Sequence, residues 1–276
     1  MADVIIGGAG ELDATKNDLI TSIVQRELQA AAKLLPTTTD FSRFATKGVQ
    51  SISIPRFDSF TAALRTPGVA CDAVALTAAV DKLDLDKCAC VSWLVDGCEE
   101  IQSTVEFQLM AAERAAAAHG RLVDTTLITA IEAAATATTT AAPAITLDIV
   151  LEMREALCSA NANMNELFLV VGCDNETALL KVPEFTNQDV FGPNSAIASG
   201  SIGRVLGVQV VVSNLMAAGQ YFMYDKSGIA HAFQLAPTLA RQPEIQFGSR
   251  AERVVVDQLF GVKSLQNNVL LIKDNN

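Results

Sequence analysis

Aromatic residues make up only 5% of this 276-residue chain, which contains two histidines and one tryptophan. So few large rings exclude a thick aromatic core and favour layers closed by small side chains. Two histidines, His119 and His231, leave little material for acid/base or metal chemistry, and neither has a nucleophile elbow or a ligand-spaced partner. Cations are also scarce, with 20 Lys and Arg against 31 Asp and Glu, a formal charge of −11. That balance excludes a general grip on nucleic acid, whose affinity rests on clustered Lys and Arg. No apolar run reaches the length of a membrane span, and the start Met1-Ala-Asp-Val lacks the basic opening of a secretory signal. These features predict a soluble protein that stays in the compartment where it is made.

Half of the residues are hydrophobic, which supplies a core for one large or two ordinary domains. The six cysteines, Cys71, Cys88, Cys90, Cys98, Cys158 and Cys173, read most simply as free thiols packed as small hydrophobes. Cys71, Cys88, Cys90 and Cys98 lie close enough in sequence to be weighed as zinc ligands or as cross-links between subunits. They contain no C-x-x-C pair and have no nearby histidine.

Apolar residues recur at helical spacing from Thr15 to Leu35 and stop at Pro36, which predicts an amphipathic helix preceded by an arm at Ile5–Gly10 too glycine-rich to fold alone. Residues 37–95 hold two strand-like stretches, Val49–Ile54 and Cys88–Val95, around a long excursion that reads as a projecting hairpin. The longest helical signal runs from about Ser103 to Ala137, with Val105, Leu109, Ala112, Ala116, Val123, Leu127, Ile131 and Ala134 in one stripe and Gly120 inside it. Pro143 closes a threonine- and alanine-rich linker. Thr146 then caps a helix, Leu167–Val171 reads as a buried strand, and Asp174 caps a short helix. Tyr221–Tyr224 and Ile229–Phe233, joined by the turn Asp225–Gly228, read as a hairpin, while Ile245–Phe247, Arg253–Phe260 and Asn268–Ile272 are strand-like.

Gly200, Gly203 and Gly207 feed into the apolar run Val208–Val212. A dinucleotide-binding loop needs its glycines after a strand and before a helix, so this order excludes that reading and leaves a packing element. No Gly-Lys-Ser or Gly-Lys-Thr of a phosphate loop occurs. The carboxylate pairs Glu99/Glu100 and Asp84/Asp86 fall in expected loops or edges, where a solvated face is the default. No catalytic, cofactor-binding or metal-binding residue is assigned, and the chain reads as a non-enzyme.

The order of parts resembles the tailed-phage major capsid protein family with the Hong Kong 97 fold. Two stretches carry the resemblance. One is Leu83–Asp96, leading through Gln102-Ser103 into the alanine-rich helix up to Leu127; the other is the glycine-to-strand passage at 200–214. It implies an α+β fold with an N-terminal arm at 1–36, an extended β-hairpin loop at 37–98, a peripheral domain with a long spine helix at 99–143 and 236–276, and an axial α/β domain at 144–235. It further implies self-assembly as hexamers and pentamers into an icosahedral shell enclosing double-stranded DNA, with a scaffolding protein and a portal as partners and only loose contact with the DNA. The expected location is the virion capsid, with the host cytoplasm during assembly. Some family members join subunits through a Lys-to-Asn bond; Lys47, Lys82, Lys87, Asn267 and Asn268 match no motif for it, so no cross-link is expected. A cellular encapsulin-like compartment shell is the alternative within the same fold, and a cytosolic α/β enzyme the alternative from another class.

Overall fold

The structure, a computed structural model, describes residues 24, 28, 32–57, 62, 64, 78–96, 107–137, 145–181, 203–247, 251–265 and 269–272. Three sheets organise these residues. A four-stranded sheet has the order β1-β10-β11-β4, from Thr39–Asp40, Ile229–Pro243, Glu252–Ser264 and Lys87–Val95. A six-stranded sheet has the order β5-β12-β9-β6-β8-β7, from Thr136–Ala137, Val269–Ile272, Tyr221–Asp225, Leu167–Val171, Val208–Val212 and Arg204–Val205. The strands β2 (Ser51–Phe57) and β3 (Ala78–Asp84) form a separate hairpin.

Helix α1, Phe107–Ala134, links the two larger sheets. Its 28 residues extend about 42 Å at 1.5 Å per residue. The expected stripe is buried at Ala112, Ala116, Val123, Leu127 and Ile131, and Ala134 is half-buried. Its alanine end packs with Val24 and Val256 against Trp93 and Leu239 of the four-stranded sheet. The larger side chains Val123, Leu127, Ile128 and Ile131 pack with Val170, Phe222 and Tyr224 of the six-stranded sheet and with Phe260. Gly120 is buried within the helix. Of the expected N-terminal helix, Val24 and Leu28 are helical and buried; its remaining positions up to 31, the arm before it, Val105 and the linker at Pro143 lie outside the described residues.

On the opposite face of the six-stranded sheet lies α2, Leu147–Ser159, capped by the Thr146 hydroxyl, which accepts the Ile149 N–H at 3.4 Å. Its Ile149, Val150, Met153 and Leu157 pack on Leu167, Leu169, Val171, Val205, Val208 and Met223. Strand β6 is central and pairs in parallel with β8 and antiparallel with β9, which explains its continuous apolar run. The short helix α3, Cys173–Leu180, follows it.

Four local expectations change. Tyr221–Asp225 and Ile229–Phe233 do not pair: the chain crosses from the six-stranded to the four-stranded sheet through a 3-10 turn at Lys226–Gly228. Both segments are buried without alternation, so each requires neighbours on both faces, and Asp225 fixes the crossing by accepting the Ser227 N–H and hydroxyl. Residues 88–95 do not return against 49–54; β4 pairs along its whole length with β11, and β2 pairs with β3. The cap of α3 is Gly172, and Asp174 in the first turn accepts the Gly219 N–H at 2.7 Å instead. Ile245–Phe247 is a 3-10 turn between β10 and β11, with Ile245 82% exposed.

Candidate functional site

The residues leading into the projecting hairpin are fastened to the body by buried polar contacts. Asp124 of α1 is 2% exposed and accepts the N–H groups of Lys33 at 2.9 Å and Leu34 at 3.2 Å. Burial raises the pKa of this carboxyl; the two N–H groups and the Lys33 charge oppose that shift. Lys33 also reaches the Val212 carbonyl at 3.3 Å. The Thr37 hydroxyl donates to the Leu34 carbonyl, so the Tyr224 hydroxyl is the donor in their mutual contact. Thr38 and His231 meet at 2.7 Å through Nδ1, and His231 Nε2 lies 3.7 Å from Asp40.

From there the connector follows β10. Thr39 and Asp40 pair in parallel with Ala230 and His231. The Ser42 hydroxyl accepts the Phe233 N–H at 2.9 Å, and the Gln234 amide donates to the carbonyls of Thr46 and Val49. Partial burial acts to raise the Asp40 pKa, but hydrogen bonds from Ser42 and the neighbouring His231 hold the carboxyl below its ordinary value.

Among the described residues, the β2–β3 hairpin is anchored at its base. Ile52, Leu83 and Leu85 join a buried cluster with Ala45, Ala230, Ala232 and Leu265. Three and four registers farther out the strands carry the pairs Pro55/Val80 and Arg56/Ala79, all exposed. Arg56 and Asp81 approach only to 4.0 Å. The described outer parts of the two strands bury little surface, and two isolated strands are marginal in water.

The sequence candidates do not converge. His119, on the buried side of α1, is 1% exposed, with Nε2 3.3 Å from the Val256 carbonyl, and His231 lies in the connector site. Burial lowers the pKa of both rings, partly opposed by the Val256 carbonyl and Asp257 at His119 and by Asp40 at His231. Cys88, Cys90, Cys158 and Cys173 are free but exposed, not packed as small hydrophobes: Cys88 and Cys90 alternate with inward Ala89 and so point off the outer face of β4. Cys71, Cys98, Glu99, Glu100, Asn267 and Asn268 lie outside the described residues. Lys47 and Lys82 are exposed, Lys87 pairs with Asp86 at 3.1 Å, and Asp84 is exposed at the end of β3. Among the described residues no three His, Cys, Asp or Glu side chains gather as metal ligands.

The glycine passage forms a tight hairpin. Val205 pairs with Val208 and Arg204 with Gln209, leaving Leu206 and Gly207 as the two turn residues, with φ of +50° and +84°. Two positive φ values in a two-residue turn match the right-handed twist of the flanking strands. The connector contacts of Asp124, Thr37 and Thr38 escape sequence reading, because each joins residues 90 or more positions apart.

Residues 101–263, more than half of the chain, match the family described as phage capsid protein. No curated protein matches by sequence. Among solved structures, the chain is similar to one from Mycobacterium phage Che8, with 20% identity and a TM-score of 0.72 over 86% of this chain and 89% of that one. It is similar to a chain from the capsid of cyanophage P-SCSP1u at 14% identity and TM-score 0.69, over 87% of each chain. It also resembles the virus-like particle from Pyrococcus furiosus at 12% identity and TM-score 0.65, covering 94% of this chain and 99% of that one. The mixed helix-and-sheet fold is thus of the Hong Kong 97-like, phage-capsid kind. The chain belongs to the phage capsid protein family: it is a major capsid protein of the tailed-phage type, a structural subunit that self-assembles into the capsid and not an enzyme.

Proposed function

We propose that this subunit assembles as hexamers and pentamers into an icosahedral shell around a double-stranded DNA genome. The observation that carries the reading is the β2–β3 hairpin, pinned at Ile52 and Leu83 and exposed at Pro55, Arg56, Ala79 and Val80. Such an element gains its missing contacts from a neighbouring copy. In this reading residues 1–36 are the arm, 37–98 carry the extended loop, 99–143 and 236–276 the peripheral domain, and 144–235 the axial domain. The pairing of β4 and the start of β10 in the four-stranded sheet, and of β12 in the six-stranded sheet, favours counting the first two with the peripheral domain and the last with the axial domain. A scaffolding protein, a portal and loose contact with packaged DNA complete the set of partners, and assembly takes place in the host cytoplasm. The charge of −11 favours a wall that does not hold duplex DNA tightly.

Sedimentation and negative-stain imaging of the purified chain test the reading. Capsomers of five and six, or hollow shells, are expected; a stable monomer at high concentration overturns it. The similarity to the Pyrococcus furiosus virus-like particle favours one second reading, a compartment shell of the same fold. Nucleic acid inside native particles supports the phage shell, and enclosed protein supports the compartment.

A further inference from the structure

Strand parity places two oppositely charged surfaces on opposite faces of the six-stranded sheet. Val205 and Val208, with Leu167, Leu169 and Val171, face α2. Phe168, Val170 and Val211 belong to the cluster on the α1 face. Gln209 is the register partner of both Phe168 and Arg204, so these three side chains share the face away from α2. There they line a cleft of about 230 Å³ together with Glu166 and Lys226. Among the described residues Glu166 is the one carboxylate of this lining against two cations, and neither Arg204 nor Lys226 forms an ion pair.

The outward side of α2 has the complementary character. Asp148, Glu152 and Glu155 follow one another at helical spacing, all exposed, beside Leu151 at 45% exposure. None of these three carboxylates is in an ion pair among the described residues. The single cation of that helix, Arg154, is turned to the hairpin, donating to the Leu206 carbonyl.

We propose that the α2 surface of one copy docks on the Arg204–Lys226 cleft of the next, with Leu151 as its apolar centre, and that this head-to-tail contact closes the ring of a capsomer. The inference rests on the capsid reading and names the contact that the reading leaves open. Complementary patches on opposite faces of one unit generate a heterologous interface, the kind that rings require. Because both patches sit on the same chain, each copy offers one and receives one. Charge complementarity selects this register among alternatives, since a slipped contact sets like charges together.

Charge reversal within one chain tests this contact. The variants R204E/K226E and E152K/E155K are each expected to reduce the yield of capsomers at least about tenfold, while circular dichroism and the unfolding midpoint stay those of the folded subunit. Combining all four changes restores complementarity and is expected to recover most of the yield. Assembly of either double variant at the unaltered level overturns the proposal, as does a fourfold variant no better than the double ones. Shells of R204E/K226E that form normally but package less DNA also overturn it, assigning the cleft to the genome. Failure of the unaltered chain to form any capsomer instead removes the capsid reading itself, so the two failures are distinguishable.

Discussion

Asp84 and Gly261 meet backbone to backbone: a β-carbon at Gly261 would overlap the Asp84 carbonyl oxygen and press on the Leu85 side chain. The projecting hairpin thus leaves the body across a glycine in β11. Gly261 is chosen for space, in contrast to Gly207, which has open space around it and a φ of +84°.

Gly261→Ala is accordingly expected to displace the end of β3 and cost about 1–3 kcal/mol, as overpacking against a rigid group does. Urea unfolding of the unassembled subunit measures it. An unchanged midpoint would show that β3 moves aside freely and that the base of the hairpin is not anchored at this crossing.

Around α1 four buried polar side-chain atoms have no hydrogen-bonding partner among the described residues: the indole nitrogen of Trp93, Nδ1 of His119, and both amide atoms of Gln258, which is 0% exposed. Gln258 stands on the inward face of β11, opposite Ala89. An unsatisfied buried amide costs about 1–3 kcal/mol, and a side chain of the same length without polar hydrogens removes that cost. Gln258→Met is expected to stabilise the subunit by roughly that amount in urea unfolding. Destabilisation would contradict the absence of a partner for this amide.

His119 supplies a pH dependence. Burial is the main cause of its lowered pKa, so the folded state binds the proton more weakly than the unfolded chain does. Stability contributed in this way is present above the ordinary histidine value of about 6.5 and is lost as pH falls towards the depressed folded value. Stability measured at pH 7 and pH 5 is expected to fall less in His119→Leu than in the unaltered chain. Equal slopes would place the proton uptake elsewhere.

How far the sequence reveals this architecture depends on the range of the interactions. The alanine stripe of α1, the Thr146 cap and the Leu167–Val171 strand are local patterns, and each is present as expected. The crossing at Lys226–Gly228 is not legible, because Asp225-Lys-Ser-Gly228 looks the same whether the following strand folds back or enters another sheet. Strand β3 escaped because Val80-Asp-Lys-Leu-Asp84 mixes charges into its alternation, and its partner lies across a long excursion. The pairing of β4 with β11 joins residues more than 150 positions apart, which no local period encodes. Arg204 and Lys226 likewise become one cleft only when β6, β8 and β9 are set side by side.

The outer face of β4 yields a chemical prediction. Cys88 and Cys90, like Cys158 and Cys173, are exposed and unbonded. All four are expected to react rapidly with a thiol reagent in the folded, unassembled subunit, and C88S/C90S should remove two equivalents from the fast phase. Reaction of Cys88 and Cys90 only after unfolding would mean that this face is covered within the subunit.

Leu206 holds φ of +50° at 37% exposure, a conformation that costs a residue with an ordinary side chain about 1–2 kcal/mol and suits asparagine far better. Followed by Gly207, it occupies the first position of a two-residue turn that favours Asn-Gly. Its carbonyl accepts the Arg154 guanidinium, a backbone contact that a substitution leaves in place. Leu206→Asn is therefore expected to stabilise the subunit by about 0.5–1 kcal/mol, and Gly207→Ala to destabilise it by about 1 kcal/mol. Both read out as opposite shifts of the urea midpoint. If Leu206→Asn instead lowers it, the leucine side chain contributes more by packing than its backbone conformation costs.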